Sequence, residues 1–267
     1  MIRSTLAMAI LVCTTMPGAD PAQAASTGWQ ETEGAQLRLV VEDRPDAGGM
    51  LRGALEIMLE PGWKTYWREP GDAGVPPRLS LDGSANAADV TLHFPAPRRF
   101  SDEWSTWAGY GSSMAIALEF RPLDPGVPVT LKSTAFLGIC EDICIPVEMS
   151  FMLETNPSRP VSEPAVAEAF AALPRPARDG FSVTDARLDD GALVIDASVE
   201  GDGGEADLFL APSKGLMLDV PERITTSDGN VVFRAGVLSA PKDAGTAVVD
   251  YTLVDTAGAV SGRFEAQ

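Results

Sequence analysis

The chain has 267 residues and a formal net charge of −18, with an isoelectric point near 4.3. So acidic a surface repels phosphate backbones, and the sequence contains no basic stripe, which argues against binding to nucleic acid or to an anionic membrane surface. A basic patch on a protein partner is a more reasonable counterpart. The length is sufficient for a buried core in one large or two small domains.

The N-terminus has the pattern of a secretory signal peptide. A basic start is followed by a short apolar run, Leu6–Cys13, and by the small-x-small motif Ala22-Gln-Ala24. The apolar run is too short to cross a bilayer. We therefore expect residues 1–25 to be removed by cleavage near Ala24 or Ala25, and the mature chain to be exported and not embedded in a membrane.

Short apolar runs with alternating polarity recur over residues 28–155. In Leu51–Leu59 the odd positions are mostly apolar and the even ones mostly polar or small, so one face should be buried. Turn residues such as Pro61-Gly62 and Asp124-Pro-Gly126 separate the runs. This is the pattern of an antiparallel β-sandwich, and it predicts a first domain over residues 28–155.

Residues 156–179 interrupt the strand pattern and are interpreted as a linker. They contain one convincing helical stretch, Glu163–Leu173, with Ser162 as its candidate N-cap. Strand-like runs then resume, separated by turn signals such as Asp189-Asp-Gly191, and predict a second β-sandwich over residues 180–267. This second half has no cysteine, histidine or tryptophan, so we expect a structural or docking module.

Cys140 and Cys144 are the only cysteines outside the predicted signal peptide. In an extended strand, residues four apart are about 13 Å apart, whereas a disulfide needs Cα atoms about 4.4–6.8 Å apart. Residues 141–143 must therefore fold back as a turn if the bond forms. We place this turn between a strand that ends near Gly138 and one that begins near Val147. An oxidising export compartment makes the bond chemically reasonable.

The residues alone leave the role of this bond open. A ring this small restricts the unfolded chain only weakly, so the bond is a poor staple, and this favours exchange. Glu141 and Asp142 should stabilise the neutral thiol and raise its pKa, which argues against a strongly activated nucleophile. On these grounds alone, a structural disulfide is favoured over a redox-active one.

Two other sets of residues are candidates for a metal or catalytic site. His93 is the only histidine and lies at strand spacing, which argues against a zinc enzyme or a catalytic triad. Met114, Met149 and Met152 would suit Cu(I) together with the cysteines, although methionines on strands more often fill the core. We therefore expect no bound cofactor and no metal ion.

Separated motifs, in a fixed order, carry a family resemblance. They are Pro61-Gly-Trp-Lys-Thr-Tyr-Trp-Arg-Glu-Pro-Gly-Asp-Ala-Gly-Val-Pro-Pro77, Phe94-Pro-Ala-Pro-Arg98 with Gly109-Tyr-Gly111, and Ile139-Cys-Glu-Asp-Ile-Cys-Ile-Pro146. Over about residues 35–155 the chain resembles the periplasmic N-terminal domain of DsbD/ScsB-type thiol:disulfide interchange proteins. The second half resembles, more loosely, the additional β-domain of the ScsB-like members.

The resemblance implies a fold and a site. The predicted fold class becomes all-β, with two immunoglobulin-like β-sandwich domains joined by a linker that carries a short helix. Cys140 and Cys144 become the redox pair, and their close spacing is nearer to ScsB-like sequences than to DsbD itself. The family covers its cysteines with an aromatic cap loop, which here corresponds to Phe100–Tyr110; the candidate lid residues are Trp104, Trp107 and Tyr110.

The resemblance also implies partners and a location. The expected protein is periplasmic and exchanges disulfides with thioredoxin-fold periplasmic proteins. Because this chain shows no transmembrane segment and no thioredoxin domain, we expect a free-standing form that works with a separate membrane conduit for thiol reductant. Cytochrome c biogenesis and copper tolerance are the associated processes. The alternatives are a non-catalytic adaptor with a structural disulfide and a Cu(I)-binding copper-tolerance protein. Cys144, next to Pro146, is favoured as the exchanging cysteine.

Overall fold

The computed structural model describes residues 25–71, 74–101, 103, 105–158, 163–213, 215–227, 230–240 and 247–266. Over these residues the chain is built almost entirely from strands, because the alternating pattern of polarity recurs from one run to the next. The prediction of an all-β protein with two immunoglobulin-like sandwiches and a short helix between them is confirmed. Residues 1–24 of the predicted signal peptide (residues 1–25) lie outside the described residues.

The first sandwich is formed by twelve strands within the described ranges. They are β1 (Ala25–Ser26), β2 (Gln30–Thr32), β3 (Ala35–Val41), β4 (Leu51–Leu59), β5 (Lys64–Tyr66), β6 (Arg78–Ser80), β7 (Ala87–His93), β8 (Arg98–Ser101), β9 (Thr106–Tyr110), β10 (Met114–Pro122), β11 (Thr130–Cys140) and β12 (Cys144–Glu154).

These strands form two facing sheets. One has the order β1-β3-β4-β10-β7, with β2 beside β3, and the other has the order β12-β11-β5-β9-β8, with β6 beside β11. Alternate residues of each sheet point inward and fill a common core. The side chains of Leu39, Leu55, Leu118 and Leu131 are almost completely buried there. This core holds β11 in place, and β11 carries one of the two cysteines.

A single helix, α1 (Pro164–Ala171), follows the first sandwich in the part of the chain that the structure describes. Its N-cap is Glu163 rather than Ser162, which lies outside the described residues. Proline is favoured at the first helical position, because its missing N–H would have no intrahelical partner there, and Pro164 therefore sets the start. Val166 and Ala169 pack on the outer face of the first sheet, so the helix is attached to the first sandwich.

The second sandwich is formed by the remaining described strands. They are β13 (Arg175–Pro176), β14 (Ser182–Asp189), β15 (Ala192–Ser198), β16 (Asp207–Pro212), β17 (Met217–Leu218), β18 (Glu222–Ser227), β19 (Asn230–Ser239), β20 (Ala247–Asp255) and β21 (Gly258–Ala266), with one 3-10 turn at Gly203–Glu205. Their sheet orders are β13-β21-β20-β16 and β14-β15-β19-β17, with β18 beside β19. β13 lies within the segment that the sequence predicts as linker.

The second sandwich has a core of its own, separate from the first. The two sandwiches meet in a smaller apolar cluster that contains Trp67, Ala108, Tyr110 and Phe209. No helix among the described residues has the length and apolar character needed to cross a bilayer.

Candidate disulfide-exchange site

The cysteine pair closes the longest hairpin of the first sandwich. β11 and β12 pair without a break from Thr130 opposite Glu154 to Cys140 opposite Cys144, and residues 141–143 form the loop. The two cysteines are joined by a disulfide, with their Cα atoms 4.1 Å apart. The predicted turn is present, but both strands run on to the cysteines themselves. Ile139 and Val147, near the end of the hairpin, are still part of the buried core.

The two sulfurs differ in their access to solvent. Only 6% of the surface of Cys140 is exposed, whereas Cys144 is exposed. Cys144 begins β12, which forms the edge of its sheet. Ile143, beside it in the loop, is 78% exposed. A partner thiolate can therefore approach the sulfur of Cys144 much more easily than that of Cys140.

The side chain of Tyr66 lies against the disulfide from the neighbouring strand. Its Oη atom is 2.9 Å from Cys144 Sγ and 3.3 Å from Cys140 Sγ. Disulfide sulfurs carry no proton, so in this state the phenol is the donor to either of them. Tyr66 is only 5% exposed. The hydroxyl is therefore held beside both sulfurs in a largely water-free setting, where a hydrogen bond to a developing thiolate is strong.

Glycines make room for the Tyr66 ring. A Cβ atom on Gly138 would lie 2.9 Å from ring carbons Cδ2 and Cε2, and one on Gly74 would lie 2.9 Å from Cδ1. Contacts this short do not occur between real carbon atoms, so only glycine fits at either position. Beside the ring, Thr65 Oγ1 donates a 2.9 Å hydrogen bond to the carbonyl of Gly138 and ties β5 to β11.

The cysteine hairpin lies in a part of the chain that matches a known protein family. Residues 38–156 match the family model described as thiol:disulfide interchange protein DsbD, N-terminal. The matched segment contains the cysteine hairpin, Tyr66 and the glycines that surround the ring.

The first sandwich is therefore similar to this family.

A solved structure resembles the whole arrangement. The N-terminal periplasmic domain of ScsB from Proteus mirabilis superposes with a TM-score of 0.72 at 23% sequence identity, and the match covers 91% of this chain and 99% of that one. At this identity the likeness shows the fold, and its coverage extends into both sandwiches. Comparison with curated protein sequences gives no match.

The predicted cap loop of the DsbD-type domain corresponds to the hairpin of β8 and β9. Trp104 lies outside the described residues. Trp107 is half-buried and stacks on Phe100, its cross-strand neighbour, with ring centroids 5.8 Å apart. By strand alternation Trp107 shares a face with Cys140. The role of these residues as a cap stays a prediction.

Tyr110 lies on the other face of the same sheet. It pairs with Thr65, which in turn pairs with Ile139, so its side chain points to the inner side. Its hydroxyl donates a 2.8 Å hydrogen bond to the carbonyl of Pro95. Burial raises the pKa of the Tyr110 phenol well above its ordinary value. In this position Tyr110 supports the sheet from below, on the side away from the sulfurs.

Charged residues of both signs surround the sulfurs of the DsbD-type domain. Glu141 and Asp142 are exposed in the loop, as the sequence suggests. No sequence pattern singles out Lys64, which pairs directly with Cys140 across β5 and β11. Directly opposed residues share a face and have Cβ atoms about 4.5–5.5 Å apart. A lysine so placed favours the thiolate form of Cys140 and opposes the effect of the two acids.

The remaining candidate residues lie away from the disulfide. His93, in the edge strand β7, contacts Glu119 at 2.8 Å. Met149 is buried in the core, while Met152 is 69% exposed on the opposite face of β12. Met114, in β10, is partly buried against the same core as Met149, so the methionines do not converge on the sulfurs. Among the described residues no cluster of three histidine, cysteine or acidic side chains has the arrangement of a metal site.

Sequence reasoning missed the part that Tyr66 plays. Tyr66 enters the sequence analysis only as part of the motif Pro61–Pro77, and 78 residues separate it from Cys144. One signal was present. Adjacent residues of a strand point to opposite faces, so Tyr66 and Trp67 could not both pack into the same core.

Proposed function

We propose that this protein is a periplasmic thiol:disulfide interchange protein that passes reducing equivalents through the Cys140–Cys144 pair, to or from thioredoxin-fold partners. The observation that carries the proposal is the asymmetry of the pair. One cysteine is exposed, the other is buried, and a single phenol hydroxyl lies within hydrogen-bonding distance of both sulfurs. A disulfide with only a structural role requires neither the exposed sulfur nor the shared donor.

Reduction of the domain follows from this geometry. A partner thiolate attacks Cys144 Sγ, a bond forms between the partner sulfur and Cys144, and the bond between Cys144 and Cys140 breaks. Cys140 leaves with the electron pair as a thiolate, next to Lys64 and to the hydroxyl of Tyr66. The thiolate then takes up a proton from solvent.

A second exchange completes the transfer. The partner's other thiol loses its proton and attacks the partner sulfur of the mixed disulfide, and Cys144 leaves as a thiolate that is then protonated. The partner dithiol has become a disulfide, and the domain has gained two electrons and two protons. Run in reverse, the same steps deliver reducing equivalents from the domain to an oxidised partner.

The family of the first sandwich supports the partner class and the location. DsbD-type domains exchange with thioredoxin-fold proteins, and the similar ScsB domain is described as periplasmic. The N-terminal sequence has the features of an export signal, which agrees with a periplasmic site of action. We further propose that Trp107, on the same face as Cys140, belongs to the surface that the partner covers.

Trapping of mixed disulfides tests this function. Cys140→Ser leaves Cys144 as the only thiol of the pair, and Cys144→Ser leaves Cys140. Each variant is incubated with a thioredoxin that keeps its attacking cysteine and lacks its resolving cysteine. The attacking cysteine carries thionitrobenzoate as a mixed disulfide, which a free thiol of the variant can displace. We expect the Cys140→Ser variant to form the covalent complex rapidly, as measured by non-reducing mass spectrometry, and the Cys144→Ser variant to form it slowly. Absence of a complex with both variants would contradict the proposed function.

A further inference from the structure

The strand that presents Tyr66 also touches the second sandwich. β5 is only three residues long, and Tyr66 ends it. The next residue, Trp67, points to the opposite side and is 1% exposed. Its ring meets Phe209 of β16 edge-on, with centroids 5.9 Å apart and planes at 68°. Consecutive residues thus contact the disulfide on one side and the second sandwich on the other.

Phe209 lies on the outside of its own sandwich. Its neighbours Leu208 and Leu210 belong to the core of the second sandwich, whereas Phe209 belongs to the cluster between the two sandwiches. Phe209 is nevertheless only 3% exposed. Its burial therefore comes from the first sandwich, through contact with Trp67.

Ion pairs hold the two sandwiches together around this contact. Arg99 of β8 donates to both carboxylate oxygens of Asp207, with Nε–Oδ2 and Nη2–Oδ1 distances of 2.9 and 2.6 Å, and its guanidinium lies 4.8 Å from the ring centre of Phe209. Arg68 Nη1 lies 3.3 Å from Asp250 Oδ2. A two-bonded arginine–carboxylate pair fixes orientation as well as distance. Domains joined by a linker ordinarily move relative to one another, and these contacts oppose such motion.

We propose that the second sandwich is a positioning element for the redox pair, and that Phe209 is its principal positioning residue. Phe209 holds the Trp67 side chain, and Trp67 fixes the end of β5 so that the Tyr66 hydroxyl stays beside the sulfurs. Backbone pairing anchors β5 through few residues: Thr65 and Tyr66 pair with β9, Lys64 and Thr65 pair with β11, and the N–H of Trp67 donates a 3.1 Å hydrogen bond to the carbonyl of Ala108. The inference rests on the proposed function, since the position of the phenol matters only if the sulfurs exchange.

The test compares rates of disulfide reduction by dithiothreitol in the full chain. This small reagent needs no docking surface, so a change in its rate reports on the disulfide itself. We expect Phe209→Ala to slow reduction about fivefold, the factor that corresponds to one ordinary hydrogen bond. Tyr66→Phe should cause a similar loss. The double variant Tyr66→Phe/Phe209→Ala should be no slower than Tyr66→Phe alone, because Phe209 acts through the phenol.

Controls separate positioning from general loss of stability. Ile195→Ala removes a fully buried side chain from the core of the second sandwich, away from the interface; it should lower the melting temperature and leave the rate unchanged. If Phe209→Ala does not fold, Phe209→Leu replaces it, since leucine keeps an apolar side chain but loses the edge contact with Trp67. This variant should slow reduction by a smaller factor, and it should cause no further slowing when it is combined with Tyr66→Phe.

Two outcomes would overturn the inference while the proposed function stands. One is that the Phe209 variants are reduced by dithiothreitol at the wild-type rate. The other is that Phe209→Ala slows reduction of the Tyr66→Phe variant by the same factor as it slows reduction of the wild-type protein. Failure of the proposed function looks different: thioredoxin would then neither reduce the wild-type disulfide nor form a mixed disulfide with either single-cysteine variant, whatever the rates with dithiothreitol, and the inference would fall with it.

Discussion

At the scale of single residues, the chemistry depends on which charges and donors lie beside each sulfur. Cys140 is buried, faces the Tyr66 hydroxyl and pairs with Lys64 across the sheet. Cys144 is exposed, and the acidic residues Glu141 and Asp142 lie in the loop between the two cysteines. The buried sulfur is therefore equipped to leave as a thiolate, and the exposed sulfur is equipped to be attacked.

Lys64 provides the first prediction. A cation beside a thiol favours the thiolate and lowers the pKa, so Lys64→Gln should raise the pKa of Cys140 in the reduced Cys144→Ser variant. The measurement is the rate of alkylation by iodoacetamide as a function of pH, whose midpoint should move to higher pH. Lys132→Gln is the control, because Lys132 lies eight residues away along β11, about 26 Å. An unchanged midpoint with Lys64→Gln would show that Lys64 does not favour the thiolate of Cys140.

Gly138 provides a second prediction at this scale. Gly138→Ala would push a carbon atom against the Tyr66 ring and should lower the free energy of unfolding by about 1–3 kcal/mol, as overpacking of a core commonly does. Gly28→Ala is the matched control, since a Cβ atom there meets nothing within 4 Å. Urea unfolding of the oxidised protein measures both. Equal stability of the two variants would show that the ring is not confined by Gly138.

At the scale of elements, the β11–β12 hairpin combines a rigid base with an exposed tip. The inward residues of both strands are part of the first core, which anchors the base of the hairpin independently of the disulfide. The tip carries Ile143, an apolar side chain that is 78% exposed, directly beside Cys144. An exposed apolar residue in this position suits contact with a protein partner.

Ile143 is therefore predicted to contribute to docking and not to the chemistry. Ile143→Ser should slow exchange with thioredoxin severalfold while leaving reduction by dithiothreitol unchanged, because only the protein partner covers the tip. Leu123→Ser is the control: Leu123 is 73% exposed but lies in a different turn. Stopped-flow measurement with both reductants distinguishes the effects, and an equal slowing with both would argue against a docking role.

At the scale of the whole molecule, the sequence predicts structure that depends on neighbouring residues better than it predicts contacts between residues far apart in the chain. The two sandwiches, the turn between the cysteines and the helix could be predicted because each is encoded in neighbouring residues, by alternation, turn residues and proline. The contact of Tyr66 with the sulfurs and of Trp67 with Phe209 could not be predicted. Which face of a sheet is covered, and by what, depends on the packing of segments far apart in the chain.

The same limit applies to the predicted cap loop. The resemblance named three aromatic residues without regard to strand register, and register decides the face on which each lies. Trp107 shares the face of Cys140, while Tyr110 lies beneath the sheet against Phe209. The arrangement of the two sandwiches then follows from residues such as Phe209 and Arg99, which no local pattern distinguishes from ordinary strand residues.

Equilibration of the Cys140–Cys144 disulfide with glutathione buffers of known potential tests the central claim most directly. A bond that opens and re-forms in exchange with partners should show a reduction potential well above about −300 mV, below which structural disulfides of secreted proteins typically lie. The account predicts a reversible transition in that higher range, with both sandwiches still folded in the reduced form. A bond that stays closed in every glutathione buffer would contradict it.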